Sequence, residues 1–426
     1  MFFLEYSKMN QKELENELEL TLKKLAKTDE QNLKLDLSRG KPSREQLELS
    51  MEMLSVVNAG SILDSECGAD CRNYGIPDGI PEARRIMAHM MGTHSAYTMV
   101  GGNSSLTMMY DIVSHAMTDG ILGEKPWYEV KNRKFLCPVP GYDRHFAITE
   151  HFGFELINVP MLSDGPDMDM VEELIKDDTV KGIWCVPKYQ NPTGITFSNE
   201  VVRRFAALKP AAKDFRIFWD NAYCVHGFGE KSDEIIDIIS ECEKNSNNDM
   251  VYEFCSTSKV TFPGSGIAAV ASSPANLNDL RGFMKYSTIG PDKINQLRHV
   301  RYFKNSAGIK VHMQKHAALL KPKFDIANKI LTEELGGLGI AKWTNPSGGY
   351  FMSFDALYNC ADEIVRRCAE SGVKFTPSGA TYPYGSDPDN TNIRLAPSFA
   401  EASEIEPAIK VLSYHTKIVS IEKLLG

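Results

Sequence analysis

The chain has no long apolar run. Nothing in its 426 residues approaches the roughly 18 consecutive apolar residues of a membrane span. The opening Met1-Phe2-Phe3-Leu4 is cut short by Glu5 and Lys8, without the charged-then-apolar layout of an export signal. Positive charge is not in excess either. Lys and Arg total 47 against 56 Asp and Glu, a net −9, which argues against nucleic acid as the main partner and leaves a small anionic ligand in a local pocket open. Cysteine has no pattern: the nine thiols are scattered, Cys67 and Cys71 are the one close pair, and no second pair or His cluster completes a zinc set. His312 and His316 stand at helical spacing without a carboxylate partner, and read as packing rather than as metal ligands. These absences leave reduced thiols in a cytoplasmic protein with no metal and no membrane.

What is present is alternation. From about residue 70 to 290, short apolar runs predict strands at Lys134–Pro138, Glu155–Pro160, Gly182–Pro187, Arg216–Trp219, Val251–Cys255 and Ile267–Ala271. Helical patterns start near Ser104, Tyr142, Met168 and Ser198. Ser198 suits an N-cap, with Val201, Val202, Phe205 and Leu208 on one face. Near-continuous apolar strands between helices predict an α/β fold with a mostly parallel central sheet flanked by helices, whose ligands bind at the carboxyl ends of the strands. Beyond 290 a long helical region, about 292–335, precedes strands at Gly349–Phe354, Val373–Phe375 and Asn392–Leu395 and a helix from about 403, a smaller α+β C-terminal domain. Residues 9–28 form an amphipathic helix through Leu14, Leu18, Leu22 and Leu25. The expected division is 1–69 for an N-terminal helix and arm, 70–305 for the large domain and 306–426 for the small one.

Polar residues cluster just after the strands. Lys259 closes Ser256-Thr257-Ser258-Lys259 at the mouth of the Val251–Cys255 run; a lysine there forms a Schiff base if its surroundings lower its pKa. Asp220 follows Ile217-Phe218-Trp219, placed to hold a proton on a pyridine nitrogen, with Tyr223 three residues on. Asn191 lies in the turn Asn191-Pro192-Thr193-Gly194. Arg394 sits inside an apolar strand-like run, and a carboxylate is the best partner for such an arginine.

These segments together resemble the class I aminotransferases of pyridoxal-phosphate fold type I, over about residues 36–400 and in the family's order. The stretches Asp36-Leu37-Ser38-Arg39-Gly40-Lys41-Pro42-Ser43 and Gly101-Gly102-Asn103-Ser104-Ser105-Leu106 resemble the bacterial subgroup Ic aspartate aminotransferases. The resemblance implies pyridoxal 5'-phosphate as cofactor. Lys259 then carries the internal aldimine and moves the proton, Asp220 keeps the ring nitrogen protonated, and Asn191 and Tyr223 bind the ring oxygen. It further implies that Tyr142 stacks on the ring, and that Asn103, Ser104, Ser105 and Ser256 hold the phosphate at a helix N-terminus. Arg394 grips the substrate α-carboxylate, with Gly40 and Asn191 beside it, and Lys293 or Arg39 takes the distal carboxylate. Tyr74 reaches the phosphate of a partner subunit, so a homodimer is expected. One departure stands out: Gly266 replaces the arginine that usually pairs with the phosphate, which leaves Lys41, Arg39 or a neighbour's cation to neutralise it.

The implied reaction is ping-pong transfer of an amino group from an L-amino acid, aspartate foremost, to 2-oxoglutarate. A β-lyase or decarboxylase uses the same lysine and aspartate. A cofactor-binding regulator needs a basic DNA-binding module, for which the thirty or so residues before the match are too few and not basic.

Overall fold

The computed structural model describes residues 5–229 and 232–426; the Met1–Leu4 run weighed above lies outside them. Eight strands make the central sheet: β1 Thr98–Val100, β2 Lys134–Val139, β3 Glu155–Leu162, β4 Gly165–Pro166, β5 Val180–Cys185, β6 Arg216–Asp220, β7 Val251–Ser256 and β8 Ala268–Ala271. Their order is β1-β8-β7-β6-β5-β2-β3-β4. β7, β6, β5, β2 and β3 run parallel; β8 is antiparallel to β7, β1 to β8 and β4 to β3. Every residue of β5 and β6 is buried, as helices on both faces require. The expected strand Gly182–Pro187 starts and ends two residues earlier, because Pro187 has no N–H to give the ladder.

Helix starts follow local chemistry. Ser198 accepts a hydrogen bond from the Val201 N–H, and Val201, Val202, Phe205 and Leu208 are buried. Helix α1, Gln11–Asp29, opens on a capping box between Asn10 and Glu13. Its buried stripe runs through Leu14, Thr21, Leu25 and Thr28, so Leu22, expected inside, is 47% exposed. Helix α2 is Ser105–Thr118 and α3 is Asp143–His151. The single helix expected over 292–335 is two: α4 Lys293–Phe303 and α5 Ser306–Leu335. The chain breaks at Lys304, which turns left-handed (φ +64°), and Asn305 starts α5 by accepting from the Gly308 N–H.

A second, antiparallel sheet contains β9 Ala341–Trp343, β10 Met352–Ala356 and β11 Asn392–Leu395 in that order. β10 starts later than the expected Gly349 because that residue is left-handed (φ +84°). Leu35–Asp36 pairs with Val373–Lys374, and helix α6, Ala402–Leu425, closes the chain. Three large cores result, two of them against the eight-stranded sheet and one against the smaller sheet. Ile309 and Met313 of α5 lie in a core beside the eight-stranded sheet, whereas Phe324, Ala327, Ile330 and Leu331 lie in the core of the smaller sheet with Tyr6, Leu14 and Leu37. No helix among the described residues is long and apolar enough to cross a membrane.

Candidate active site

The carboxyl ends of β5, β6 and β7 open into a cavity of about 170 Å³. Ser104, Ser105, Tyr142, Asn191, Asp220, Tyr223, Ser256 and Lys259 line it, so eight of the sequence-derived candidates meet in one place. Ser258 joins them.

Asp220 ends β6 and is buried. Its Oδ2 lies 3.0 Å from Nε2 of His145, one turn into α3, and that ring stacks on Trp184 at 4.7 Å and 13°. Oδ1 is also buried and has no partner among the described residues. A buried carboxylate oxygen left unbonded is costly, so this atom fits an N–H supplied by a bound molecule. A protonated pyridine nitrogen is such a donor, so the residues present fit the pyridoxal phosphate that the sequence resemblance implies. His145 escaped the sequence reading, although it stands three residues after Tyr142 at helical spacing.

Lys259 follows β7 by three residues, with its Nζ 5.0 Å from the centroid of the Tyr223 ring. Burial pulls its pKa below the usual lysine value, and the Asp220 charge opposes the shift. Its main chain is held from several sides. The Lys259 carbonyl faces the Tyr350 hydroxyl and His226 Nε2, each at 3.3 Å, and the Val260 carbonyl lies 2.7 Å from His312 Nε2. His312 and His316 are buried, their Nε2 atoms 3.1 Å apart, and Gln46 joins His316 Nδ1 to the Tyr350 hydroxyl. Among the described residues no cluster suits a metal ion. Burial lifts the pKa of Tyr142 to about 12 and raises that of Tyr223 well above its ordinary value.

The anion end is built on α2. Ser104 is its N-cap residue, yet its side chain makes no capping bond, so the first-turn N–H groups and the hydroxyl face the cavity uncommitted. The Ser256 hydroxyl donates to Ser258 Oγ at 3.1 Å. Asn103 does not line this cavity; its amide turns to the Gly264 carbonyl. Gly266 has no room for the expected arginine, since a Cβ there meets Thr257 Oγ1 at 2.9 Å. Lys259 is the one cation among the described residues lining the cavity.

Arg394, on β11, does not itself line the cavity but is joined to it through Asn191: Nη1 donates to Asp143 at 2.9 Å and to Asn191 Oδ1 at 3.4 Å. Its guanidinium lies 5.0 Å from the centroid of the Phe351 ring, and Gly40 lies against the edge of the same ring, where an added Cβ would come within 2.0 Å of Phe351 Cζ. The remaining candidates stay outside. Lys293 is buried, with Nζ on the Gly75 carbonyl at 3.0 Å, and Tyr74 next to it is 79% exposed. Arg39 is exposed, and Lys41 Nζ lies 4.1 Å from the centroid of the Phe399 ring.

Comparison with known proteins gives the same outline. The aspartate amino-transferase family model matches residues 9–426. An aspartate aminotransferase of Corynebacterium glutamicum is 45% identical over 379 residues, 89% of this chain and 88% of that protein. The crystal structure of an aspartate transaminase from the same organism superposes with a TM-score of 0.97 at 41% identity, covering 99% of each chain. LysN, an α-aminoadipate aminotransferase from Thermus thermophilus, shares the fold at TM-score 0.72 and 19% identity over 95% of each chain.

Proposed function

The chain belongs to the aspartate aminotransferase family and is an aminotransferase, and on that premise we propose that it transfers the amino group of L-aspartate to 2-oxoglutarate with pyridoxal phosphate in the cavity around Lys259. Pyridoxal phosphate, when bound, supplies an aldehyde carbon for the amino group and a ring that takes up negative charge.

The side chains divide the remaining work. Asp220 Oδ1 holds the proton of the ring nitrogen, and His145 fixes the carboxylate through Oδ2. The N-terminus of α2 with Ser104, Ser105, Ser256 and Ser258 binds the phosphate. Tyr142 covers one face of the ring, and Tyr223 and Asn191 reach its oxygen substituent. The depressed pKa of Lys259 leaves a larger neutral fraction of its amine, able to take the proton from the substrate Cα and return it. Arg394 binds the α-carboxylate, and Asn191 steadies the guanidinium. Gly40 brings the N-terminal arm against the substrate end.

The observation that carries this reading is the buried, unpartnered Oδ1 of Asp220 in the cavity that holds Lys259. The test is a two-substrate assay. Aspartate with 2-oxoglutarate is expected to give oxaloacetate and glutamate with parallel double-reciprocal lines; alanine and carbon dioxide from aspartate alone, or pyruvate and ammonia from a β-substituted amino acid alone, overturn it.

The active unit we propose is a homodimer. Tyr74, Tyr286 and Ile289 are 79%, 79% and 65% exposed, and their loops meet where Lys293 binds Gly75. A second copy covering them brings its Tyr74 to this cavity's phosphate end, and sedimentation of the purified protein checks the stoichiometry. Lys293 at this edge is the proposed distal-carboxylate cation. The free cysteines, eight of nine buried, suit a reducing cytoplasm. The division at 69 and 305 is retained as the proposed domain plan.

A further inference from the structure

Arg394 already holds a carboxylate. Its side chain is 10% exposed, and its closest partner is Asp143 Oδ1, 2.9 Å from Nη1. An arginine this buried needs a counter-charge at all times, because an uncompensated buried cation is strongly unfavourable. The contact runs through Nη1 alone. Nε points to Thr376 Oγ1 at 3.4 Å, and Nη2 has no partner among the described residues. Nη2 is therefore uncommitted, and an acceptor that displaces Asp143 from Nη1 gains a two-donor edge for a stronger, bidentate contact.

Asp143 has a second home. It is the first residue of the nine-residue helix α3, where the helix N-terminus favours negative charge, and its side chain is 39% exposed to water. Released from Arg394, the carboxylate is stabilised by the helix end and by solvent. Tyr142, its chain neighbour, lines the cavity, so the exchange takes place at the edge of the reacting site.

We propose that Asp143 is an internal stand-in for the substrate carboxylate: it neutralises and orients Arg394 in the empty site and is displaced when a bidentate carboxylate arrives. This rests on the reading of Arg394 as the carboxylate anchor. Asp143 is thus a positioning residue that sets substrate affinity. It weakens every carboxylate ligand by the free energy of its own contact and discriminates against ligands that make only one bond to the guanidinium.

The test uses the pyridoxal-phosphate holoenzyme and succinate, a dicarboxylate with no amino group to transfer, titrated by calorimetry. Asp143→Asn is expected to bind succinate about five-fold more tightly than the unaltered enzyme, with the kinetic effect on aspartate falling in KM rather than in kcat. Asp143→Glu, which keeps the charge, returns both constants toward their starting values. Equal or weaker succinate binding by folded Asp143→Asn overturns the proposal. Arg394→Ala separates this failure from that of the parent reading: lost succinate binding retains the anchor whatever Asp143 does, and retained binding removes anchor and exchange together.

Discussion

The two ends of the proposed site are built differently. The end at Asp220 is made of adjacent parallel strands and the helix after β2; Asp220, His145 and Trp184 are all buried, and the His145 ring stacks on Trp184. The end at Arg394 draws on the N-terminal arm at Gly40, the start of α3 at Asp143 and two places in the smaller sheet region, Phe351 and Arg394. Its contacts include a half-exposed carboxylate and two hydrogen bonds of 3.4 Å. The first end is rigid because its geometry is that of a packed sheet. The second is adjustable because its pieces are held by single contacts over long sequence separations. A fixed end suits holding a cofactor ring, and an adjustable end suits admitting and releasing substrates.

Substitutions test this contrast. Lys259 stands between the ends, and Lys259→Ala is expected to bring aspartate turnover below detection and to abolish the visible absorbance of the loaded protein; residual cycling would remove it from its role. At the rigid end, Asp220→Ala is expected to lower kcat by about 10³-fold with modest change in KM. His145→Leu leaves both Asp220 oxygens without a protein partner. The expected result is a loss of about 1–3 kcal/mol in stability, with a fall in kcat smaller than that of Asp220→Ala, read by denaturation and steady-state kinetics. At the adjustable end, Gly40→Ala forces a methyl group into the Phe351 ring, with an expected cost of about 1–3 kcal/mol and an effect mainly on KM. If Gly40→Ala acts on kcat and His145→Leu on KM, the contrast is reversed.

Independent of either end is an expected effect on stability against pH. Burial holds His226 and His316 down to about 3 and His299 to about 4, from an ordinary 6.5. A histidine whose folded pKa is depressed stays neutral in the fold while the unfolded chain takes up the proton. Stability is therefore full above pH 6.5 and declines as pH falls toward 4. Melting temperatures between pH 7 and 4 are expected to show this slope, and His316→Gln to reduce it.

The rigid end was the more legible in sequence. Lys259 and Asp220 could be located because each follows a buried strand, a pattern written in a few consecutive residues. Ser104 and Ser198 were legible for the same reason, since a helix start is local chemistry. Asp143 and the Gly40–Phe351 contact were not legible, because each pairs residues more than 200 positions apart. The contact of the Asn103 amide with the Gly264 carbonyl was not legible either, because it crosses the fold. The break at Lys304 was hidden because both flanking segments carry helical periodicity.

Helix α5 has thirty residues, a rod of about 45 Å with Pro322 near its middle. Its early residues are seated in one core and its later ones in another, and His312 and His316 grip the peptide just beyond Lys259 from its first half. Such a rod acts as a lever. Any rotation of the smaller sheet against the larger one would pass along it to the backbone beside the reactive amine, because His312 holds the Val260 carbonyl.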